Sequence, residues 1–328
     1  MGYVAPLLVS CLSFCLSLII SNMRANVFWI IFFSFFAFSC NGKAGQVSRV
    51  PVSDTVEVKN TVNPASILDS AVYTKQDSIE VEDLLRKEVK GNDVLFYARH
   101  FIGRPYVAHT LEISDPEKLI VNLKELDCTT LVETACALAM TKRQGGDKFA
   151  DYCKNLESLR YWNGNMNGYL SRLHYFTWWM HDNMRRGLFS EVTNERYFTA
   201  PMVVKNYYMS QHASSYKMLA AHPEWKDSIA ILEKEWNGPD GKYLPESNTI
   251  LGTDKLGFIK DGDVIAIVTT KAGLDYAHLG FAVWGDDGKL HLLNASMVYK
   301  KVVEDKTTLY DYLMKWRSAT GIRLMRLE

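Results

Sequence analysis

The sequence lacks an excess of charge of either sign. Its 328 residues carry 37 Lys and Arg against 37 Asp and Glu, which gives a formal net charge of zero. It also contains no run of Lys or Arg and no zinc-finger or RNA-binding motif. A nucleic-acid-binding domain usually presents a basic patch. The composition therefore argues against nucleic acid as a partner.

Cysteine is scarce, and no two cysteines form a CxxC pair. After residue 40 the chain holds only Cys128, Cys136 and Cys153. The absence of CxxC argues against structural zinc and thioredoxin-like redox chemistry. No HExxH spacing indicates a catalytic metal around His181 and Asp182. We therefore predict no metal and no cofactor, and an odd number of cysteines implies at least one free thiol.

The first 40 residues differ in composition from the rest of the chain. Residues 4–20 and 27–38 are almost wholly apolar, Arg24 precedes the second run, and Ser39-Cys40 follows it. A basic residue, a short apolar run and a small residue before Cys are typical of a bacterial lipoprotein signal. The second run is also short for a bilayer span.

We therefore predict that residues 1–40 are a lipoprotein signal and anchor, with Met23 as an alternative start. Cys40 would then carry the lipid and become the mature N-terminus. This predicts an exported protein of the bacterial periplasm or cell envelope, attached to a membrane by its lipid. The alternative is that the same region forms one or two transmembrane segments.

The remaining chain is organised as a linker and one large domain. Residues 41–66 are polar and contain two prolines, which is typical of a linker. Residues 67–328 show no repeat and no second linker. Helical patterns precede strand patterns, which predicts an α+β domain with an antiparallel sheet. Helices are predicted over residues 81–90, 93–101, 130–142, 147–159, 174–186 and 308–316, and strands over residues 264–270, 278–284, 289–295 and 322–327.

Cys128 is the strongest candidate for a reactive thiol, because it precedes a predicted buried helix. Thr130 and Glu133 match a Thr-x-x-Glu capping box, which would start that helix near Thr130; Asp127 is an alternative cap. Free N–H groups at a helix N-terminus favour a thiolate and can bind an oxyanion. Cys136 lies deeper on the apolar helix and is predicted to be a core residue. Cys153 lies mid-helix with no base nearby, and we assign it no role.

A thiol nucleophile needs a base that a third polar group holds in place. His278 opens an otherwise apolar strand beside Gly280, and its alternative is a strand-end residue that faces solvent. A returning strand brings Asn294 near it. A three-residue loop that pairs Trp284 with Gly288 would put Asn294 on the face of His278, whereas a four-residue loop would put Ala295 there.

Several motifs, taken in order, resemble the NlpC/P60 papain-like peptidases, and more closely the DUF1460 branch, which is regarded as N-acetylmuramoyl-L-alanine amidase-like. The similarity covers roughly residues 93–327. The motifs are Gly103-Arg104-Pro105-Tyr106, Asp127-Cys128, Arg172-Leu173-His174-Tyr175-Phe176, Gly262-Asp263, Gly273-Leu274-Asp275, His278-Leu279-Gly280-Phe281, Leu293-Asn294-Ala295 and Gly321-Ile322-Arg323.

This resemblance implies a papain-like NlpC/P60 fold with helical insertions in residues 143–243. It implies Cys128 as nucleophile, His278 as base and Asn294 as the residue that orients the base, a position that is often His in the superfamily. Tyr106 would line the site; its alternative is a core aromatic.

Three further residues are candidates for substrate binding. Arg172 would pair with a muropeptide carboxylate, or be a surface charge. His174 and Tyr175 would line the pocket, although an aromatic stripe at helical spacing is more often core.

The implied reaction is hydrolysis of the amide between N-acetylmuramic acid and L-alanine in peptidoglycan fragments. An endopeptidase that cleaves the γ-D-glutamyl-diamino acid bond is the alternative within the enzymes. A non-catalytic peptidoglycan-binding lipoprotein is the alternative from another class, although a binding module has no need of a thiol at this position.

Overall fold

The computed structural model describes residues 64–328. The predicted signal, the lipidation site Cys40 and nearly all of the predicted linker lie outside the described residues. None of the helices within 64–328 is both long and apolar enough to cross a bilayer. The first helix begins at Pro64, inside the segment that the sequence predicted as linker.

The described residues form short helices and two sheets. The helices are α1 Pro64–Asp69, α2 Lys75–Arg86, α3 Asp93–His100, α4 Cys128–Arg143, α5 Phe149–Arg160, α6 Phe176–Arg185, α7 Tyr208–Gln211, α8 Lys217–Ala221, α9 Trp225–Glu235, α10 Thr253–Leu256 and α11 Leu309–Met314, with 3₁₀ turns at Trp162–Gly164, Tyr169–Ser171, Ala213–Ser215 and Glu246–Ile250. The strands are β1 Ala71–Val72, β2 Leu119–Ile120, β3 Phe189–Glu191, β4 Ala200–Val204, β5 Gly238–Pro245, β6 Val264–Thr269, β7 Tyr276–Trp284, β8 Leu290–Ser296, β9 Lys301–Glu304 and β10 Ala319–Leu327.

The main sheet is antiparallel and confirms the predicted α+β class. Its strands lie in the order β4-β5-β10-β6-β7-β8-β9, and β3 also pairs with β10. The strands β1 and β2 form a separate parallel pair. The predicted insertion between residues 143 and 243 is not purely helical, because it also supplies β3, β4 and most of β5 to this sheet.

The central strand β6 is buried on both faces. Val264, Ala266 and Val268 belong to one hydrophobic cluster together with the helix α4. Ile265 and Ile267 belong to a second cluster on the other face, with the side chains of α11. Successive side chains of a strand point to opposite faces, so the sheet separates two cores. This burial on both sides explains the continuous apolar sequence of β6.

The helix α4 begins two residues earlier than the sequence predicted. Asp127 is the N-cap: its carboxylate accepts from the Thr130 N–H at 2.8 Å, and the Thr130 hydroxyl accepts from the Asp127 N–H at 2.9 Å. The predicted capping box, from Thr130 to Glu133, is therefore wrong, and Asp127 with Thr130 forms it instead. Cys128 is consequently the first residue of the helix rather than a residue that precedes it.

Glu133 has a different role, because it forms a buried ion pair with Arg160 of α5. The Arg160 Nε donates to Glu133 at 2.7 Å, and another guanidinium nitrogen donates to the Ile120 carbonyl at 2.7 Å. Both side chains are only 3% exposed. A charge buried this deeply is tolerated only with a partner. The pair therefore holds α4 against α5 and β2.

We expect Glu133→Ala to lower the free energy of unfolding by about 3–5 kcal/mol, because it leaves the Arg160 guanidinium buried without a counter-charge. The double variant Glu133→Ala/Arg160→Met should recover part of the loss. The measurement is urea denaturation followed by tryptophan fluorescence. Glu304→Ala, which breaks the half-exposed pair with Arg99, is the control and should cost no more than about 1 kcal/mol. Equal losses of unfolding free energy in Glu133→Ala and Glu304→Ala would contradict the assignment of Glu133 and Arg160 as a stabilising buried ion pair.

Candidate active site

The Cys128 side chain lies at the N-terminus of α4, where that helix packs on β7 and β8. It is partly exposed, whereas Cys136 and Cys153 are fully buried. The Leu279 N–H of β7, the Thr129 N–H and the Thr129 hydroxyl lie near its sulfur and act to lower the pKa of the thiol. Cys128 is therefore the free thiol that the described fold both positions and leaves accessible.

The pKa of Cys128 is raised, contrary to the expectation that the helix N-terminus lowers it. Burial, followed by the Asp127 carboxylate, raises this pKa to about 12, against the opposing effect of the Leu279 and Thr129 donors. The favourable field of the helix N-terminus is thus offset by desolvation and by the carboxylate that caps the same helix. A protonated thiol at this position needs a base before it can act as a nucleophile.

His278 lines the same cavity as Cys128, and it is hydrogen-bonded to Asn294. Its Nε2 lies 3.0 Å from the Asn294 Oδ1, and both side chains are buried. An amide oxygen only accepts, so Nε2 carries the proton and Nδ1 keeps its lone pair. Burial lowers the pKa of His278, while the Asn294 bond and the Asp127 charge raise it. The result is a neutral imidazole whose Nδ1 is available as a base.

The contact between His278 and Asn294 arises from a strand register that the sequence did not predict. Phe281 pairs with Leu293 and Trp284 with Leu290, so the loop has five residues rather than three or four. Continued by one pair, this register places Asn294 opposite Gly280 and diagonal to His278, on the same face. His278 is also the third residue of β7 rather than its first.

Gly280 provides the space for this diagonal contact. A Cβ at this position would lie 2.6 Å from the Leu293 carbonyl oxygen and 3.1 Å from the Asn294 Cβ. On the other side of β7 the register with β6 shifts beside His278, because Ile267 pairs with His278 whereas Val268 pairs with Tyr276. A bulge of this kind redirects side chains next to it. The glycine and the bulge together set the direction of the imidazole.

Cys128 and His278 line one cavity of about 310 Å³, which we call the thiol cavity. Within residues 64–328 no hydrogen bond joins the sulfur to the ring. Catalytic pairs are often loose without substrate and tighten in the complex. The thiol cavity is therefore lined by a thiol and an imidazole, and Asn294, which does not line it, is hydrogen-bonded to that imidazole.

Arg172 lines the thiol cavity, but its guanidinium is already occupied. Its Nη2 donates to Glu112 at 2.9 Å, and its Nε lies 3.3 Å from Glu117. The side chain is buried, so it is not the surface charge that was one of the two predictions for it. Binding of a substrate carboxylate by Arg172 stays a prediction.

His174 also lines the thiol cavity, where it is held neutral. Its Nε2 lies 2.9 Å from the Tyr169 carbonyl oxygen, which fixes the proton on Nε2 and leaves Nδ1 as an acceptor. Burial, followed by the Arg172 charge, lowers the pKa of His174 to about 3. The imidazole therefore offers a hydrogen-bond acceptor and no positive charge over the physiological pH range.

Of the two tyrosines predicted to line the site, Tyr175 lines the thiol cavity and Tyr106 does not. Tyr175 lines the thiol cavity with its ring, but its hydroxyl donates to Glu233 at 2.7 Å and accepts from the Met209 N–H at 2.9 Å. Tyr106 is half-buried and does not line that cavity; burial first, and then the nearby Cys128 and Asp127 charges, raise the pKa of its phenol. Tyr106 therefore lies near Cys128 without lining the cavity, and Tyr175 is mainly structural.

Two residues near His278 were not predicted from the sequence. The Trp316 ring lies 6.1 Å from the His278 ring, and Lys271 lies over the Trp316 ring at 5.9 Å. Trp316 follows α11, which is distant from β7 along the chain. No local motif marks either residue, so only the fold brings them to the site.

Known proteins resemble this chain in both sequence and structure. The family model described as N-acetylmuramoyl-L-alanine amidase-like, AmiA-like, matches residues 97–322. No curated protein matches the chain. A crystal structure of an N-acetylmuramoyl-L-alanine amidase from Bacteroides uniformis ATCC 8492 is 39% identical, covers 72% of this chain and 98% of that chain, and has a TM-score of 0.67.

Two further solved structures carry other descriptions. A Bacteroides fragilis protein described as a candidate xylanase is 41% identical over 70% of this chain and 99% of that chain, with a TM-score of 0.65. A Legionella pneumophila protein assigned to DUF1460 is 22% identical over 81% of this chain and 97% of that chain, with a TM-score of 0.58, which shows a shared fold. The family match spans the whole site, from the residues before Cys128 to those after Asn294, and this chain belongs to the AmiA-like family of N-acetylmuramoyl-L-alanine amidase-like proteins.

Proposed function

We propose that this protein is a cysteine amidohydrolase that cleaves the bond between N-acetylmuramic acid and L-alanine in peptidoglycan fragments. The observation that carries the proposal is the hydrogen bond between His278 and Asn294, next to a thiol at a helix N-terminus in the same cavity. A nucleophile, a base and an orienting group in this arrangement are typical of acyl transfer. Membership of the amidase-like family supports this choice of substrate.

In the proposed reaction, the Nδ1 of His278 takes the proton of the Cys128 thiol as the sulfur attacks the carbonyl carbon. The Cys128 N–H at the start of α4 donates to the oxyanion that forms. The His278 imidazolium then gives its proton to the leaving amine, and the acyl group stays on sulfur. A water molecule, deprotonated by His278, finally hydrolyses the thioester and restores the thiol.

The charges around the thiol cavity favour the amidase over the endopeptidase. Its guanidiniums are already paired, Arg160 with Glu133 and Arg172 with Glu112. The other two lining carboxylates, Asp127 and Asp275, accept from backbone N–H groups. The cavity therefore offers no free cation to an anionic acyl group and suits an uncharged one. The muramoyl group of the amidase substrate is such a group, whereas the endopeptidase would place a charged dipeptide there. This is the specific support for the muramoyl–alanine bond.

The same pairing argues against glycoside hydrolysis, the activity suggested by the description of the Bacteroides fragilis protein. A glycosidase needs two carboxyl groups that flank the sugar bond, one of them as an acid. Of the carboxylates that line the thiol cavity, Glu133 and Glu112 bind guanidiniums and Asp127 caps α4. Asp275 accepts from the Thr177 N–H at 2.8 Å. Each carboxylate thus has a structural partner, and the thiol is the group left for chemistry.

We also propose that the domain is a papain-like member of the NlpC/P60 superfamily, and that it is exported and anchored by a lipid on Cys40. The first proposal is supported by a helix-borne cysteine next to a strand-borne histidine and a polar residue on the following strand. The second is supported by the apolar run that ends in Ser39-Cys40.

The first test is cleavage of a defined muropeptide by the purified chain from residue 41 onward. We expect the products to be a sugar with a free lactyl carboxylate and an intact stem peptide. Cys128→Ala should lower the rate by at least about 10³-fold, because the acyl-enzyme cannot form. Cys153→Ala, which removes a buried thiol of α5, is the matched control and should retain activity. Mass spectrometry of the products is the measurement.

Two other outcomes of this test would overturn the proposal. Cleavage within the stem peptide would move the assignment to the endopeptidase. Binding of the muropeptide by both proteins, without any cleavage, would leave a peptidoglycan-binding lipoprotein.

A second test uses the pH dependence of kcat/KM. Only neutral His278 acts as a base, so activity should rise with pH through a midpoint below 6.5, because burial lowers the pKa of His278. Asn294→Asp retains the acceptor and adds a negative charge, which favours the imidazolium and should move this midpoint upward by about one pH unit.

Asn294→Ala is the control for that shift. It removes a hydrogen bond that raises the pKa of His278, so it should lower the rate without moving the midpoint upward. A midpoint that is the same in the wild type and in Asn294→Asp would show that His278 is not the titrating base.

A third test concerns the anchor. Cys40→Ala in the full chain should move the protein from the membrane fraction to the soluble periplasmic fraction, because the lipid would have no attachment site. Cys136→Ala is the control and should stay with the membrane. Retention of Cys40→Ala in the membrane fraction would instead favour a transmembrane segment.

A further inference from the structure

A second concavity shares His278 with the thiol cavity. It has a volume of about 530 Å³, and we call it the Trp316 groove. The residues that line it include Lys271, His278, Tyr299, Tyr312, Lys315 and Trp316. His278 lines both concavities, whereas Cys128 lines only the thiol cavity.

The chemistry of acyl transfer assigns a different half of the substrate to each concavity. The acyl half stays bonded to the Cys128 sulfur and therefore occupies the thiol cavity. The amine half receives its proton from His278 and must lie against that ring as it leaves. The Trp316 groove shares His278 with the thiol cavity but is not lined by Cys128, and the Trp316 ring lies 6.1 Å from the imidazole.

The two concavities also differ in the charges that they present, and this difference matches the two halves of the substrate. The guanidiniums of the thiol cavity are bonded to carboxylates. Lys271 and Lys315, by contrast, are exposed at the groove, and the lysine salt bridges among residues 64–328 involve other lysines. Asp305, the carboxylate at the groove, is buried and accepts from the Thr307 N–H at 2.9 Å. The groove thus presents two uncommitted positive charges beside aromatic rings.

We propose that the Trp316 groove is the leaving-group subsite and binds the anionic stem peptide, with Lys271 and Lys315 facing its carboxylates. This inference rests on the proposed function, in which the leaving amine is that of L-alanine. The first residue of that peptide is apolar and packs near Trp316, and the next is D-glutamate, whose α-carboxylate reaches the lysines. The thiol cavity thereby offers the neutral muramoyl half no unpaired guanidinium, and the groove offers the anionic peptide half two lysines of opposite charge.

The test compares two substrates that differ in one charge. N-acetylmuramoyl-L-alanyl-D-glutamate carries a free α-carboxylate, and N-acetylmuramoyl-L-alanyl-D-isoglutamine carries an amide there. For the carboxylate substrate, the double variant Lys271→Gln/Lys315→Gln should lower kcat/KM by about tenfold, since exposed ion pairs each contribute modestly. For the amide substrate the loss should be clearly smaller. Raising the salt concentration should narrow the difference between wild type and variant, because exposed charges are screened.

The matched control is Lys226→Gln/Lys234→Gln, which removes the same charge from exposed positions of α9 that line neither concavity. It should leave the ratio of the two kcat/KM values unchanged. If Lys271→Gln/Lys315→Gln gives the same ratio of the two kcat/KM values as this control, the assignment of the groove is overturned and the proposed function stands. If the wild type cleaves neither substrate, the proposed function itself is overturned.

Discussion

The site depends on where α4 begins. The Asp127 carboxylate and the Thr130 hydroxyl close the first turn of this helix reciprocally, and that closure makes Cys128 its first residue. The helix is buried along nearly its whole length, held to α5 by Glu133 and Arg160 and packed on β7 and β8. Its start therefore cannot move without disturbing the core. The position of the sulfur is a consequence of capping and burial together.

The Asp127 cap also changes the pKa values of the Cys128 thiol and of the His278 imidazole. Asp127 contributes to the raised pKa of Cys128, although burial is the larger cause. It also raises the pKa of His278, against the larger effect of burial. Burial acts together with Asp127 at the sulfur and outweighs Asp127 at the ring, so the net pKa shifts favour a protonated sulfur and a neutral ring. An uncharged pair avoids the desolvation of two buried charges.

The sequence predicted those parts of the site that depend on local chemistry. Cys128 before an apolar helix and His278 beside Gly280 are local signals, and the structure brings both to one cavity. The helix start was misassigned because two overlapping patterns, Asp127 with Thr130 and Thr130 with Glu133, each fit a cap. The strand register was misassigned because Gly285–Lys289 tolerates several loop lengths, and only cross-strand packing selects one.

Long-range features could not be predicted from the sequence. The strands β4 and β5 contain Pro201, Pro239 and Gly241, which weaken any strand prediction, yet pairing with each other and with β10 stabilises them. The partner of Glu133 lies on a different helix, and Trp316 reaches His278 from beyond α11. Such contacts depend on how the elements pack rather than on residues near each other in the chain.

The absence of a side chain at Gly280 has a consequence for how this site can vary. The orienting group on β8 reaches the imidazole diagonally across the space that a Cβ at Gly280 would fill. A larger orienting side chain in place of Asn294 can use that space while the glycine remains. Once the glycine is replaced, the diagonal path is closed to small and large side chains alike. Asn294 can therefore be exchanged for another side chain that contacts His278 only while Gly280 is retained.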